Sequence, residues 1–164
     1  MSLASLKDLF IDELRDTLSA EKQLLKALPK MAAASTSPDL RKGFEKHLRE
    51  TEKQVERLKQ VFNSIDETAR AKTCKAMEGL IEEGSDIIEE DADPEVKDAA
   101  LIAAAQKVEH YEIAAYGTLA TWAKLLNFKK ALGLLVQTLN EEKATDEKLT
   151  ELAETMVNEA AMSE

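Results

Sequence analysis

Apolar residues recur at steps of three and four along most of this chain, a spacing that predicts helices rather than strands. The stripe Leu3, Leu6, Phe10, Leu14, Thr17, Glu21, Leu24, Leu28 and Met31 marks a long helix over about residues 3 to 33, with Pro29 placed to bend it or end it early. Ser35-Thr36-Ser37-Pro38-Asp39 supplies capping hydroxyls and a first-turn proline. A second helix follows to about Ser64 through Leu40, Phe44, His47, Thr51, Gln54, Leu58 and Val61. A shorter pattern at 73 to 90, with Ala76, Leu80, Ile81, Ile87 and Ile88, carries the chain back along the bundle. Asp93-Pro94 opens a third long helix to about 126 with two inward rows, one through Leu101, Ala105, Val108, Glu112, Ala115, Leu119 and Trp122, the other through Ile102, Glu109, Tyr116 and Ala123. Asn127 breaks it, and a fourth long helix over about 128 to 159 carries Leu132, Leu135, Leu139, Glu142, Asp146, Leu149, Ala153 and Met156.

Two helical pairs separated by a longer connection predict an all-α, ferritin-like four-helix bundle with an additional short helix in that connection, built as a single domain over residues 1–164. The composition agrees. Aromatics are 4% of a chain that is 44% hydrophobic, and five Gly and three Pro leave little material for hairpins.

The stripes contain carboxylates where a soluble helix normally places Leu or Ala. Glu21, Glu109, Glu112, Glu142 and Asp146 all stand in such places, and Glu50 lies beside one. Buried unpaired, such charges are costly, so a metal or protons must accompany them. Glu109 and Glu112 are one turn apart, as are Glu142 and Asp146, and each pair can face a shared cavity. Glu21 and Glu50 add oxygen donors from the other two long helices. Oxygen-rich surroundings suit iron or manganese, singly or as a two-metal centre bridged by carboxylates and able to engage oxygen or peroxide. Against this stands an ordinary reading for each acid, in which a nearby Lys or Arg pairs it at the bundle surface; for Glu50 the neighbours Arg49, Lys53 and Arg57 are available. His47 is a terminal ligand, a hydrogen-bonding member of the site or a satisfied, partly buried histidine, and Gln54, a weaker ligand than a carboxylate, either supports the site from behind or simply packs and hydrogen-bonds in the core. His110 points about 100 degrees away from Glu109 around the helix, toward a surface role. Tyr116 reads as a core aromatic, Tyr111 as a surface or interface one, and Trp122 as core or subunit contact.

Charge and motif content exclude other classes. A net charge of -10 argues against a nucleic-acid footprint and against an anionic membrane surface. The lone Cys74 forms no internal disulfide, and nothing resembles a signal peptide or a transmembrane run, which leads to the expectation of a soluble cytoplasmic protein. Phosphate loops, metalloprotease runs and nucleophile elbows are absent from the sequence.

The segments DTLSAEKQL (16–24), HLRET (47–51), MEGLIEE (77–83), AAAQKVEHYE (103–112) and EEKATD (141–146) together resemble the YciF-like stress-response proteins of the ferritin-like superfamily over nearly the whole chain. The resemblance implies a compact ferritin-like bundle, a homodimer and an association with bacterial stress responses, and leaves the reaction open. One departure from better characterised ferritin-like sites matters: their Glu-x-x-His pattern is missing, with Lys53 three residues after Glu50 and Thr145 three after Glu142. A carboxylate-dominated two-metal site, a single-metal site and an inherited bundle without a working centre all satisfy these residues. The functional expectation is a metal-binding stress-response protein, and its alternative is a non-enzymatic structural or interaction dimer on the same fold.

Overall fold

A computed structural model describes residues 3–163. Its helices are α1 (Leu6–Ala34), α2 (Pro38–Ser64), α3 (Lys75–Glu89), α4 (Pro94–Leu125) and α5 (Lys129–Leu152), followed by a π-helical turn (Ala153–Val157) and the short α6 (Asn158–Ala161). No strand occurs among the described residues.

Capping fixes several boundaries. The Ser5 side chain accepts the Asp8 N–H at 3.1 Å, so α1 begins at Leu6 and Leu3 stays outside it, exposed. Pro29 does not end α1: it lies on the exposed face, and buried Leu28, Met31 and Ala32 carry the helix past it. Asp66 and Asn127 take left-handed φ values of 58° after α2 and α4. Behind them the Glu67 and Phe128 N–H groups return to the Phe62 and Ala123 carbonyls at 3.0 and 2.9 Å, closing both helices in a Schellman arrangement. The break expected at Asn127 is this turn.

Two apolar clusters give the helix directions. One joins the C-terminal half of α1 (Leu24, Leu28, Met31), the start of α2 (Leu40, Phe44), the start of α4 (Leu101 to Val108) and the end of α5 (Leu149, Leu152). The other joins the start of α1 (Phe10, Leu14, Leu18), the end of α2 (Leu58, Val61, Phe62), the end of α4 (Tyr116, Leu119, Ala123) and the start of α5 (Ala131, Leu135). Helices α1 and α5 therefore run one way and α2 and α4 the other. This is the order of a ferritin-like bundle, in which the connection between α2 and α4 returns along its length. Helix α3 lies in that connection and packs on α1 and α4. Its N-cap is Cys74, whose thiol accepts the Met77 N–H at 3.4 Å and lies 3.1 Å from the Tyr111 hydroxyl.

The end of the fourth long helix differs from its periodic expectation. Leu152 and Val157 are buried five residues apart while Met156 is 40% exposed, because the π turn adds a residue to the spiral and moves the inward position from 156 to 157. The buried line of α5 also runs through Ala131, Leu135, Thr138, Glu142, Leu149 and Leu152, leaving Leu132 and Leu139 half-buried at its edge.

Asp98, which stood out in no sequence pattern, locks the turn between α1 and α2. Buried in α4, its two oxygens accept the Thr36 and Ser37 N–H groups at 2.8 and 2.6 Å. Asp98→Ala strands both donors, and urea denaturation at neutral pH is expected to show a loss of about 2–4 kcal/mol. A loss below about 0.5 kcal/mol is the size of an unremarkable surface substitution and would contradict this role.

Candidate metal centre

The middle of the bundle, between the two apolar clusters, is polar. Glu21 from α1, His47, Thr51 and Gln54 from α2, Glu109 and Glu112 from α4 and Glu142 from α5 are all buried there. Each occupies a core-facing step of its helix, so the interruption of apolar packing is written into the stripes themselves.

His47, Glu109, Glu112 and Glu142 each offer a ligand atom, and these atoms lie within 4.8 Å of one another. His47 Nε2 is 3.3 Å from Glu109 Oε1 without hydrogen-bond alignment. Glu21 completes the wall, accepting a hydrogen bond from the buried Tyr116 hydroxyl. Gln54 donates to Glu142 Oε1 and, at 3.1 Å, to Glu141 Oε2. Glu141 is gripped by Arg57 through both its oxygens at 2.8 and 2.9 Å, and Arg57 also donates to the Thr138 hydroxyl at 2.6 Å. A hydrogen-bonded brace of α2 and α5 thus stands behind Glu142.

Arg57, within reach of Glu50 by sequence spacing, is committed to this brace instead; the Gln54-x-x-Arg57 spacing, one turn along the buried stripe, is the signal the sequence carries for it. Glu50 instead pairs with Lys46 at 3.3 Å at the margin of the site, its side chain partly exposed. Asp146 turns to His110 at 3.1 Å and Gln106 at 3.3 Å. His110 is exposed, as its direction around the helix predicted. Of the eight residues read from the sequence, Glu21, His47, Gln54, Glu109, Glu112 and Glu142 converge, and Glu50 and Asp146 stand at the rim.

The electrostatics follow from burial. Glu21 is pushed up from its ordinary value to about 8, by loss of solvent first and by the charge of Glu142 second. Burial, followed by Glu142, also raises Glu109 and Glu112 well above the usual carboxylate range. Burial lowers His47 and keeps its imidazole neutral. In Glu141 burial acts upward, but hydrogen bonds from Arg57 and Gln54 outweigh it and leave the carboxyl low.

The donor set fits a cation. Glu21 Oε2, both His47 nitrogens, Glu109 Oε2, both Glu112 oxygens and Glu142 Oε2 are buried without a hydrogen-bond partner. Buried polar atoms are rarely left this way, and their concentration around one point is what a ligand sphere looks like. Carboxylates with one neutral imidazole suit iron or manganese, and carboxylates can bridge neighbouring ions.

Among the described residues, no helix is long and apolar enough to cross a membrane. The Escherichia coli protein YciF is 54% identical over 162 residues, covering 98% of this chain and 98% of its own. The crystal structure of the E. coli stress protein YciF has a TM-score of 0.92 at 55% identity and covers 94% of this chain and 98% of that one. YcfI from Rhodopseudomonas palustris has a TM-score of 0.89 at 46% identity, over 91% of this chain and 95% of that one. Residues 5–162 match the family described as "Domain of unknown function (DUF892)". Sequence and fold thus agree across nearly the full length, and the chain belongs to the DUF892 family, as a YciF-like member of the ferritin-like superfamily.

Proposed function

We propose that this chain is a cytoplasmic, metal-binding stress-response protein whose mid-bundle centre holds iron or manganese for oxygen- or peroxide-linked redox protection. The observation that carries the reading is the set of buried, unpartnered carboxylate and imidazole atoms on four facing residues. Glu109, Glu112, Glu142 and His47 would hold the ion, and Glu21 would share it or bridge to a second. A bound iron or manganese ion supplies one-electron redox chemistry and polarises bound oxygen ligands. The surrounding residues hold that charge in place. The brace from Arg57 through Glu141 and Gln54 orients Glu142, and the Tyr116 hydroxyl orients Glu21. The description of the E. coli relative as a stress protein supports the physiological setting.

Metal analysis of protein purified without chelator, followed by anomalous diffraction at the iron and manganese edges, tests the centre. Iron or manganese between Glu109, Glu112 and Glu142 is the expected result. No uptake after controlled loading, or metal confined to surface carboxylates, would reject it. The missing Glu-x-x-His imidazoles favour the second reading, a structural or interaction dimer: Lys53 is exposed and Thr145 donates to the Glu141 carbonyl at 3.1 Å.

Homodimerisation belongs to both readings. At the corner between α4 and α5, Leu125 is 65% exposed beside half-buried Trp122, Leu126 and Phe128, an apolar surface for a second copy to cover. Sedimentation is expected to give a dimer that Leu125→Glu weakens. A monomer across a broad concentration range would count decisively against it.

A further inference from the structure

We propose that the centre is entered through an apolar passage between α2 and α5, opened at Gly43, which admits dioxygen and turns away hydrogen peroxide. The proposal deepens the metal reading by naming the small molecule that reaches the same site, but the passage is a property of the chain and can be tested without metal.

A cavity of about 50 Å³ ends on His47 and Glu109, the imidazole edge of the centre. Leu28, Phe44, Val108 and Leu149 form much of its wall. Outside it, between α2 and the end of α5, lies a surface depression, and the two share Gly43, Lys46, Lys148 and Leu152. The two adjoin across these shared residues, where the route crosses from one to the other. Their common wall is thin where Gly43 lacks a side chain: a Cβ there would meet Leu152 Cδ1 at 3.9 Å. Glycine weakens a helix interior relative to alanine, and Gly43 has no positive φ to require it. What the position gains is space. On the facing side the π turn follows directly after Leu152 and swings Thr155 and Met156 out onto the depression. Such turns frequently mark functional sites.

Size and polarity select the occupant. A water molecule needs roughly 10–15 Å³ of cavity, and an apolar cavity that takes benzene has about 150 Å³, so this one accommodates a diatomic and excludes an acyl chain or ring. Hydrogen peroxide would shed its hydrogen bonds to water along the stretch walled by Leu28, Phe44, Val108 and Leu149, which replaces none of them before the unpartnered His47 and Glu109 atoms are reached. The Thr145 hydroxyl on the lining already donates to the Glu141 carbonyl. At the mouth Lys46 pairs with Glu50 at 3.3 Å and Lys148 with Glu151 at 2.8 Å, so the cations there are already matched by acids.

The test uses metal-free full-length protein. Under dissolved dioxygen, the paramagnetic relaxation of the Leu28, Val108 and Leu149 methyl groups is expected to exceed that of Ile11, Val55 and Ile65, comparably buried at the other end of the bundle, by roughly threefold or more, with no such contrast from a water-soluble gadolinium chelate. Gly43→Leu is expected to remove the excess while leaving manganese affinity within about twofold of the parent. Equal relaxation at both ends of the bundle overturns the passage, and an excess that survives Gly43→Leu overturns its entrance. Peroxide is followed by mass spectrometry of methionine oxidation, in which the thioether takes one oxygen from hydrogen peroxide and water leaves. The thioether introduced by Leu149→Met, on the cavity lining, is expected to react roughly tenfold more slowly than exposed Met156. Comparable rates overturn the exclusion of peroxide. Failure of the parent protein to take up iron or manganese would reject the metal reading instead, and leaves the relaxation result standing on its own.

Discussion

Glu112→Leu is expected to make the metal-free protein more stable and to abolish its tight metal binding. Both Glu112 oxygens are buried and unpartnered, and burial followed by the charge of Glu142 drives the carboxyl well above its ordinary range. Without a cation its one compensation is a proton shared with the equally buried Glu21 and Glu142, which leaves a loss of about 1–3 kcal/mol. Leucine has a similar size and no such requirement, and replacement of buried polar clusters by apolar residues is often stabilising by about 1–4 kcal/mol. In a chain of this length each kcal/mol moves the melting temperature by about 2–4 °C, so a rise of several degrees is expected after chelation. With saturating manganese the order reverses. The parent gains about 2.7 kcal/mol at a hundredfold excess over Kd, and the variant gains little. Calorimetry of both proteins with EDTA and with manganese checks the crossover; a variant less stable than the parent in EDTA would show that Glu112 is already satisfied by its protein neighbours.

The same competition explains what could be read from the sequence. Four stripes carried an acid or an imidazole at a step where apolar residues belong, and Glu21, Glu109, Glu112, Glu142 and His47 meet because a core-facing step on a bundle helix has one place to go. Helical order was legible too: the unequal connections predicted the return path that α3 occupies. The apolar clusters at the two ends explain why the polar centre is tolerated, since packing on both sides holds it between them.

What remained illegible turns on side-chain direction and backbone register. His47 and Glu50 are three residues apart and nearly share a helical face; the surface partner Lys46, on the same helix, draws the carboxylate to the rim and leaves the imidazole inside. Asp146 follows Glu142 by one turn, but its side chain is turned to His110 and Gln106. A charged residue on a stripe edge looks alike whether it faces solvent or braces a buried acid, which hid Arg57 and Glu141. The π turn left no periodic signature, because one added residue in five is visible only once Val157 is seen to be buried in place of Met156.

The metal-free protein is expected to lose stability as pH rises from about 5 to about 8, the reverse of ordinary acid denaturation. In the unfolded chain Glu21 titrates near 4.5, whereas in the bundle burial, and after it the charge of Glu142, pushes it to about 8. The folded state therefore binds this proton more tightly than the unfolded state. Its contribution is fully present below the unfolded value and is lost as pH climbs through the folded one. Glu109 and Glu112 act in the same direction. His47 opposes them, because burial lowers its value and its contribution is present above its ordinary 6.5, but it is one imidazole against three carboxyls. Glu141 acts outside the window: its lowered value costs stability only as pH falls below the ordinary carboxylate range. The net fall should amount to several kcal/mol. Bound manganese inverts the slope, since ligation displaces the same protons and metal affinity rises with pH. Urea denaturation at pH 5, 6.5 and 8, with EDTA and with manganese, measures both slopes. A metal-free stability that stays level or rises across that range would mean that the acids are ionised and paired in the empty bundle, and the protonated centre derived from their burial would have to be abandoned.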